Sequence, residues 1–203
     1  MRIRSMHYFS GLLLAVFIFL HLINHLYSLI GIDKHLAYMQ QFRKIYRNPW
    51  VEIPLLGAVL VQLYSGIQLV RNKPKKITGF YNRLQIWTGR CMAFFLVIHV
   101  GAVISGRLFL HLDTNFYFGA AGINSFPFNL FFIPYYTLAI WSFFGHIAAI
   151  HYQKMSGKSH YANRQSAIIL SIGIVISIVI LYGLTGGFKG VPIPASYEVL
   201  IGK

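Results

Sequence analysis

The sequence predicts an all-α integral membrane protein, a bundle of five transmembrane helices. Of its 203 residues, 56% are hydrophobic and only 11% are charged, which lies outside the range of ordinary soluble domains. The apolar residues form five runs, each close to the ~20 residues that cross ~30 Å of hydrocarbon as a helix. These runs span about 8–30, 52–71, 85–107, 129–152 and 165–187. We expect residues 1–203 to form a single transmembrane domain.

The first run follows Arg2 and Arg4, and we expect a cytoplasmic N-terminus because short cytoplasmic segments are rich in Lys and Arg. The run is too long for a cleaved signal peptide and lacks a small-residue cleavage site. The loop after it is also basic, although the alternation of spans places this loop outside. Its apolar residues recur at three- and four-residue spacing, which predicts a short interfacial helix: Leu36, Met39, Phe42 and Tyr46.

The remaining runs alternate in direction and end with the C-terminus outside. The basic loops after the second and fourth runs should be cytoplasmic, and they carry Arg71, Lys73, Lys75, Lys76, Arg83, Lys154, Lys158 and Arg164. The outside loop after the third run balances Arg107 with Asp113. A net charge of +14 fits contact with anionic lipid or an acidic partner. A nucleic-acid function is disfavoured because no polar surface with aromatic side chains remains to hold a strand.

The scarcity of cysteine and acidic residues excludes several kinds of site. The single Cys91 excludes an internal disulfide and a cysteine-ligated iron–sulfur cluster, which each need more than one thiol. The four acidic residues all lie outside the middle of the apolar runs: Asp33, Glu52, Asp113 and Glu198. A carboxylate-bridged di-iron site is therefore excluded, and a proton-coupled transporter is disfavoured.

One signature occurs in both the first and the third run. Ser10-Gly11 precedes His21 at the same interval at which Thr88-Gly89 precedes His99. The similarity extends between these points, where Ala15 and Phe17 are matched by Ala93 and Phe95. Because both runs cross in the same direction, the two histidines should lie at similar depth in the outer half of the bilayer, at ~1.5 Å per residue. The third run is thus a parallel repeat of the first.

Two histidines at one depth predict bis-histidine ligation of a haem iron by His21 and His99. An imidazole that faced lipid would be costly, so both should point into the bundle. The alternative is that each histidine forms a hydrogen bond with a neighbouring helix. His25, one turn beyond His21, is a second candidate ligand; otherwise it contacts a haem propionate, a quinone or a backbone carbonyl. A zinc site is disfavoured because too few ligands converge at that depth.

Three charged residues are candidates for contact with a cofactor. Arg107 ends the third run and is well placed for haem propionates, whereas Arg90 either extends to the interface or contacts a propionate or a quinone. Glu52 begins the second run, where it either accepts protons from a quinol or stabilises the start of the helix. His146 lies near the cytoplasmic end of the fourth run, and Gln62 is the candidate nearest to it in depth on the second run.

With these features, the chain resembles the five-helix cytochrome b subunit of bacterial succinate:quinone and quinol:fumarate oxidoreductases. The resemblance covers nearly the whole length and rests on Ser10-Gly11 with His21, Trp87-Thr88-Gly89 with His99, and His146. The segment Gln62-Leu63-Tyr64-Ser65-Gly66 matches a family segment that begins with His instead of Gln62. Two-haem members hold an outer haem between spans one and three and an inner haem between spans two and four.

The resemblance implies one haem b in the outer half, because Gln62 is a poor iron ligand. The inner space would be filled by side chains or by a quinone near Trp87, Arg90 and His146. It also implies a membrane anchor of a bacterial cytoplasmic (inner) membrane that passes electrons between an iron–sulfur partner and membrane quinone. The chain would have no catalytic residues of its own, with flavoprotein and iron–sulfur subunits on its cytoplasmic face. The alternative is a haem-free structural subunit whose histidines form interhelical hydrogen bonds.

Overall fold

The computed structural model describes residues 3–72 and 78–202, and within them all regular structure is helical. Five of these helices are long and apolar enough to cross a membrane, which confirms the predicted all-α class and the number of spans among the described residues. The chain divides into two compact units, residues 1–75 and 76–203. Four of the basic residues used to predict topology lie outside the described residues: Arg2, Lys73, Lys75 and Lys76. The orientation of the termini and the single-domain organisation remain predictions.

Unit 1 contains two long helices that pack against each other and a shorter helix between them. Helix α1 covers Ile3–Leu26, α2 covers Ile32–Tyr46 and α3 covers Pro49–Arg71. The N-terminus of helix α3 is capped by Asn48, whose side chain accepts a hydrogen bond from the Trp50 N–H at 3.0 Å, and proline occupies the first helical position. The first apolar run is thus helical from Ile3, earlier than the predicted residue 8.

Helix α2 is present where the amphipathic pattern predicted a helix. Its buried residues are His35 and Met39 rather than Leu36 and Met39. Further along the same face, the rings of Phe42 and Tyr46 contact Phe17 of α1, with centroids 5.9 and 5.5 Å apart. The apolar face of α2 therefore packs on α1, while the location of α2 at a membrane surface remains a prediction.

Unit 2 contains three long helices, with the middle one packed against both others. These are α4 (Phe80–Leu108), α6 (Asn129–Met155) and α7 (Ala162–Leu184). Glycines allow α6 to approach its neighbours closely, as is common in membrane bundles. A Cβ on Gly145 would lie 2.9 Å from the Thr88 methyl group, and one on Gly173 would lie 2.6 Å from the Phe144 Cβ.

The loop after α4 contains a short buried helix, α5 (Phe116–Ile123), that the sequence analysis did not predict. Four of its apolar side chains are almost completely buried: Phe116, Ala120, Ala121 and Ile123. Asn124 connects it to the C-terminal segment by donating to the Leu184 carbonyl and accepting from the Val191 N–H, each at 3.0 Å. These long-range bonds hold α5 over one end of the helix bundle of unit 2.

The fifth span ends earlier than the predicted residue 187. Helix α7 stops at Leu184, and Gly186 and Gly187 adopt φ values of +57° and +71°. Glycine takes these left-handed conformations without a steric penalty, so the apolar run continues past the point where the helix ends.

Candidate functional site

The two histidines of the repeat have the same local packing, each within its own unit. In α1 the imidazole of His21 stacks on the Phe17 ring one turn earlier, with centroids 5.8 Å apart and an interplanar angle of 15°. In α4 the imidazole of His99 stacks on the Phe95 ring one turn earlier, at 4.9 Å and 14°. The repeated sequence thus produces a repeated side-chain arrangement. A ring beneath each imidazole restricts its rotation and orients its nitrogens.

His25 contacts the nitrogen of His21 that would bind a metal. The Nε2 atoms of the two imidazoles are 3.2 Å apart, so one ring donates and the other accepts. Binding of iron at the Nε2 of His21 would replace this hydrogen bond. His25 would then be available to a propionate or a quinone, as predicted, or would itself be the ligand.

His35 of α2 extends this polar cluster, and it is not among the site residues predicted from the sequence. Only 1% of its surface is exposed, and its Nε2 accepts a hydrogen bond from the Asn24 amide at 3.3 Å. Burial lowers the pKa of His35 to about 4, and charge interactions with His21 and Arg43 lower it in the same direction. His35 is therefore neutral at pH 7. Its position one turn before Met39 on the apolar face of α2 was the available signal.

Gln62 belongs to a directional hydrogen-bond network between α3 and α1. The Ser10 hydroxyl donates to the Gln62 carbonyl oxygen at 2.6 Å, and the Gln62 amide nitrogen lies 3.3 Å from the His7 Nε2. The His7 Nδ1 donates to the Ser65 hydroxyl at 2.9 Å, and that hydroxyl donates to the Val61 carbonyl. Gln62, His7 and Ser65 thus each have both a donor and an acceptor role.

His146 occupies an equivalent place in unit 2. Its Nδ1 lies 3.2 Å from both the Gln85 carbonyl and the Thr88 hydroxyl. A carbonyl only accepts, and the Thr88 hydroxyl donates to the Leu84 carbonyl at 2.7 Å, so Nδ1 carries the proton. This tautomer leaves the lone pair on Nε2, the form in which histidine binds iron or accepts a proton.

The glycines of the two Ser/Thr-Gly pairs, Gly11 and Gly89, have corresponding neighbours in the two units. A Cβ on Gly11 would lie 3.1 Å from the Gln62 amide nitrogen, and one on Gly89 would lie 3.5 Å from the His146 Cε1. Each Ser/Thr-Gly pair therefore contacts the residue at the predicted inner-ligand position of its own unit. Gln62 and His146 are therefore structural counterparts, because each packs against the Ser/Thr-Gly pair of its own unit.

The other predicted contact residues are Trp87, Arg90, Glu52 and Arg107. The Arg90 guanidinium lies 5.7 Å from the centre of the exposed Trp87 ring, a cation–π contact. Trp87 is two residues from Gly89, about 200° around α4, so it does not share the face that meets His146. Glu52 is in the first turn of α3 and Arg107 is in the last turn of α4, where each charge favours its helix end.

Within residues 3–72 and 78–202, no group of three or more His, Cys, Asp and Glu side chains is arranged to hold a metal ion. This finding does not bear on haem, which takes only one or two protein ligands. The chain matches no protein-family model, and no curated protein or solved structure is significantly similar to it. Its likeness to the cytochrome b subunits rests on the motif residues alone.

Proposed function

We propose that the chain is the haem b-binding membrane-anchor subunit of a complex like succinate:quinone or quinol:fumarate oxidoreductase. It would pass electrons between an iron–sulfur partner and membrane quinone, with His21 and His99 as haem-iron ligands. The observation that carries the proposal is the repeated Phe–His stack, 15° from parallel in α1 and 14° in α4. Apolar helices that each present an oriented histidine are what a membrane cytochrome requires.

The residues present fit a haem. When bound, haem supplies reversible one-electron transfer through its iron. Phe17 and Phe95 supply apolar surface beside the proposed ligands, and His25 supplies a polar group one turn from His21. Arg107 at the end of α4 supplies a cation for a propionate.

A single haem per chain is part of the proposal. The Gln62 amide is hydrogen-bonded to Ser10 and packs against Gly11, so unit 1 has no imidazole at the position that His146 takes in unit 2. The tautomer of His146 suits it to accept a proton from a quinol hydroxyl, and we assign it that role. Trp87 and Arg90, on another face of α4, are a separate candidate surface for a quinone ring.

The proposed partners come from the resemblance, and the basic charge of the chain is compatible with them. Exposed basic residues near the ends of α4, α6 and α7 would face the cytoplasm, where they would meet acidic surfaces of the flavoprotein and iron–sulfur subunits or anionic lipid headgroups: Arg83, Lys154, Lys158 and Arg164. The chain would not catalyse a reaction alone. It would be a multi-pass protein of a bacterial cytoplasmic membrane.

A haem-free structural subunit is the second candidate, and specific contacts favour it. Three histidines join one helix to another by hydrogen bonds: His7 to Ser65, His35 to Asn24, and His146 to Gln85. In that case, His21 and His99 would have a structural role only, as in the hydrogen bond between His21 and His25.

A visible spectrum of the purified protein separates the two candidates. Bis-histidine haem is low-spin, so the proposal expects sharp α and β bands on reduction and about one haem per chain by pyridine haemochrome assay. His99→Ala and His21→Ala should each abolish these bands, while His25→Ala should retain much of them. A colourless protein, or unchanged bands in His99→Ala, would refute the ligand assignment.

A further inference from the structure

We propose that unit 2 binds the phosphate headgroup of an anionic phospholipid in a groove at the start of α4, the end of α6 and the start of α7. The groove has a volume of about 740 Å³ and is lined by Tyr81, Asn82, Tyr152, Gln153, Ser156 and Asn163. A second recess of about 320 Å³ shares Tyr152, Ser156 and Asn163 and adds Lys158 and His160. The two recesses form one continuous polar surface.

The floor of the groove is fixed by side-chain contacts. The Tyr81 and Tyr152 rings stack with centroids 4.0 Å apart, and the Tyr81 hydroxyl donates to the Asn163 side-chain oxygen at 2.8 Å. The ring stack joins α4 to α6, and the hydrogen bond joins α4 to α7. Together these contacts fix the shape of the groove. Asn163 and Ser156 line both recesses and His160 lines the second, and their side chains carry groups that can donate hydrogen bonds to phosphate oxygens.

The charge around the groove has one sign. Lys158, Arg83 and Arg164 are exposed at this end of unit 2. The sequence contains no acidic residue between 78 and 112 or between 114 and 197, and therefore none in the segments that form the groove. Basic pockets between transmembrane helices on the cytoplasmic side bind anionic lipid headgroups.

An apolar stripe on α7 selects a lipid over a soluble phosphate or an acidic peptide. Arg164, Ile168, Ile172 and Val175 recur at four- and three-residue spacing, and all four side chains are exposed. The Arg164 cation therefore lies at the start of α7, and exposed aliphatic side chains follow it along the helix, away from the groove. A phospholipid matches both features, because its phosphate can bind in the groove and its acyl chain can lie along the apolar stripe.

The test is a titration of the detergent-solubilised full-length chain, with the thermal unfolding midpoint as the readout. Dioleoylphosphatidylglycerol should raise the midpoint, and dioleoylphosphatidylcholine should not. Lys158→Gln should weaken the apparent affinity about five-fold, as expected from about 1 kcal/mol per cation. Lys189→Gln removes the same charge beyond the other end of α7 and should leave the affinity unchanged.

A second variant separates a built site from diffuse attraction. Ser156→Trp keeps every charge but fills the groove from an exposed position, so it should abolish the shift. An equal shift with phosphatidylcholine, equal effects of Lys158→Gln and Lys189→Gln, or a full shift in Ser156→Trp would each overturn the proposal. A shift with inorganic phosphate alone would identify a soluble anion as the ligand. A shift with oligoglutamate but not with phosphatidylglycerol would identify an acidic protein segment. Either result would also refute the lipid.

Discussion

Replacing the phenylalanine beneath each proposed ligand tests the haem assignment without removing a histidine. Phe17 and Phe95 contact their histidines in nearly the same geometry, at 5.8 and 4.9 Å between ring centroids. An aromatic pair contributes about 0.5–1.5 kcal/mol beyond the area that it buries. Phe17→Leu and Phe95→Leu should therefore each weaken haem affinity by roughly two- to twelve-fold, with the wider Phe17 spacing giving the smaller loss.

The assay is a titration of haem-depleted protein with haemin, followed by the Soret absorbance. Phe17 also contacts α2, so Phe42→Leu serves as a control that removes the stack between Phe17 and Phe42 while keeping His21 on Phe17. In unit 2, Tyr135→Phe removes the hydroxyl that contacts the Phe95 carbonyl but keeps the ring. Both controls should keep wild-type affinity. Unchanged haem affinity in both leucine variants would refute the role of the two phenylalanines beside the haem ligands. Controls that weaken the affinity as much as the leucine variants do would also refute it.

Two further predictions concern topology and pH. Membrane-impermeant thiol reagents applied to intact cells of a Cys91→Ser background should label Asn115→Cys and leave Lys158→Cys unlabelled; the reverse pattern would invert the assigned orientation. The pKa of His35 is lowered to about 4, below the model-peptide value of 6.5, so the unfolded chain binds more protons between these values. Unfolding free energy should therefore fall as the pH drops from 6.5 towards 4, by at most about 1.4 kcal/mol per pH unit, and His35→Gln should flatten this slope in detergent-based unfolding titrations.

The five long helices were predictable because each depends on a local property, a sufficiently long apolar run. Helix α5 was not predictable in this way. Its short Phe-Gly-Ala-rich segment is stabilised by bonds from Asn124 to Leu184 and Val191, which are distant in the sequence. The burial of His35 was not predictable for a different reason: the Asn24 amide that donates to its Nε2 lies on another helix, and the spacing of residues in α2 does not reveal it.

Likewise, only part of the candidate site could be predicted from the sequence. The interval from glycine to histidine identified His21 and His99, and the stacked phenylalanines lie within the same repeated segment. The hydrogen-bond partners of Gln62 and His146 could not be predicted from the sequence, because Ser10 and Gln85 lie on neighbouring helices. The sequence predicts one quinone near Trp87, Arg90 and His146, but Trp87 lies on a different face of α4 from the residues that contact His146.

The Gln62 network limits what a single substitution can restore. A glutamine amide uses its oxygen for Ser10 and its nitrogen for His7. An imidazole at this position would also have one donor and one acceptor nitrogen, so the same two partners would occupy both. We therefore expect Gln62→His alone to keep the haem content at about one per chain.

Removing His7 as well makes one ring nitrogen available for iron. The double variant Gln62→His with His7→Ala should raise the haem content above one per chain in the pyridine haemochrome assay, and Gln62→Ala with His7→Ala should not. The single variant His7→Ala controls for the loss of the bond to Ser65. A second haem in Gln62→His alone would show that His7 does not hold the residue at position 62. One haem in every variant would show that the missing imidazole is not what limits haem binding.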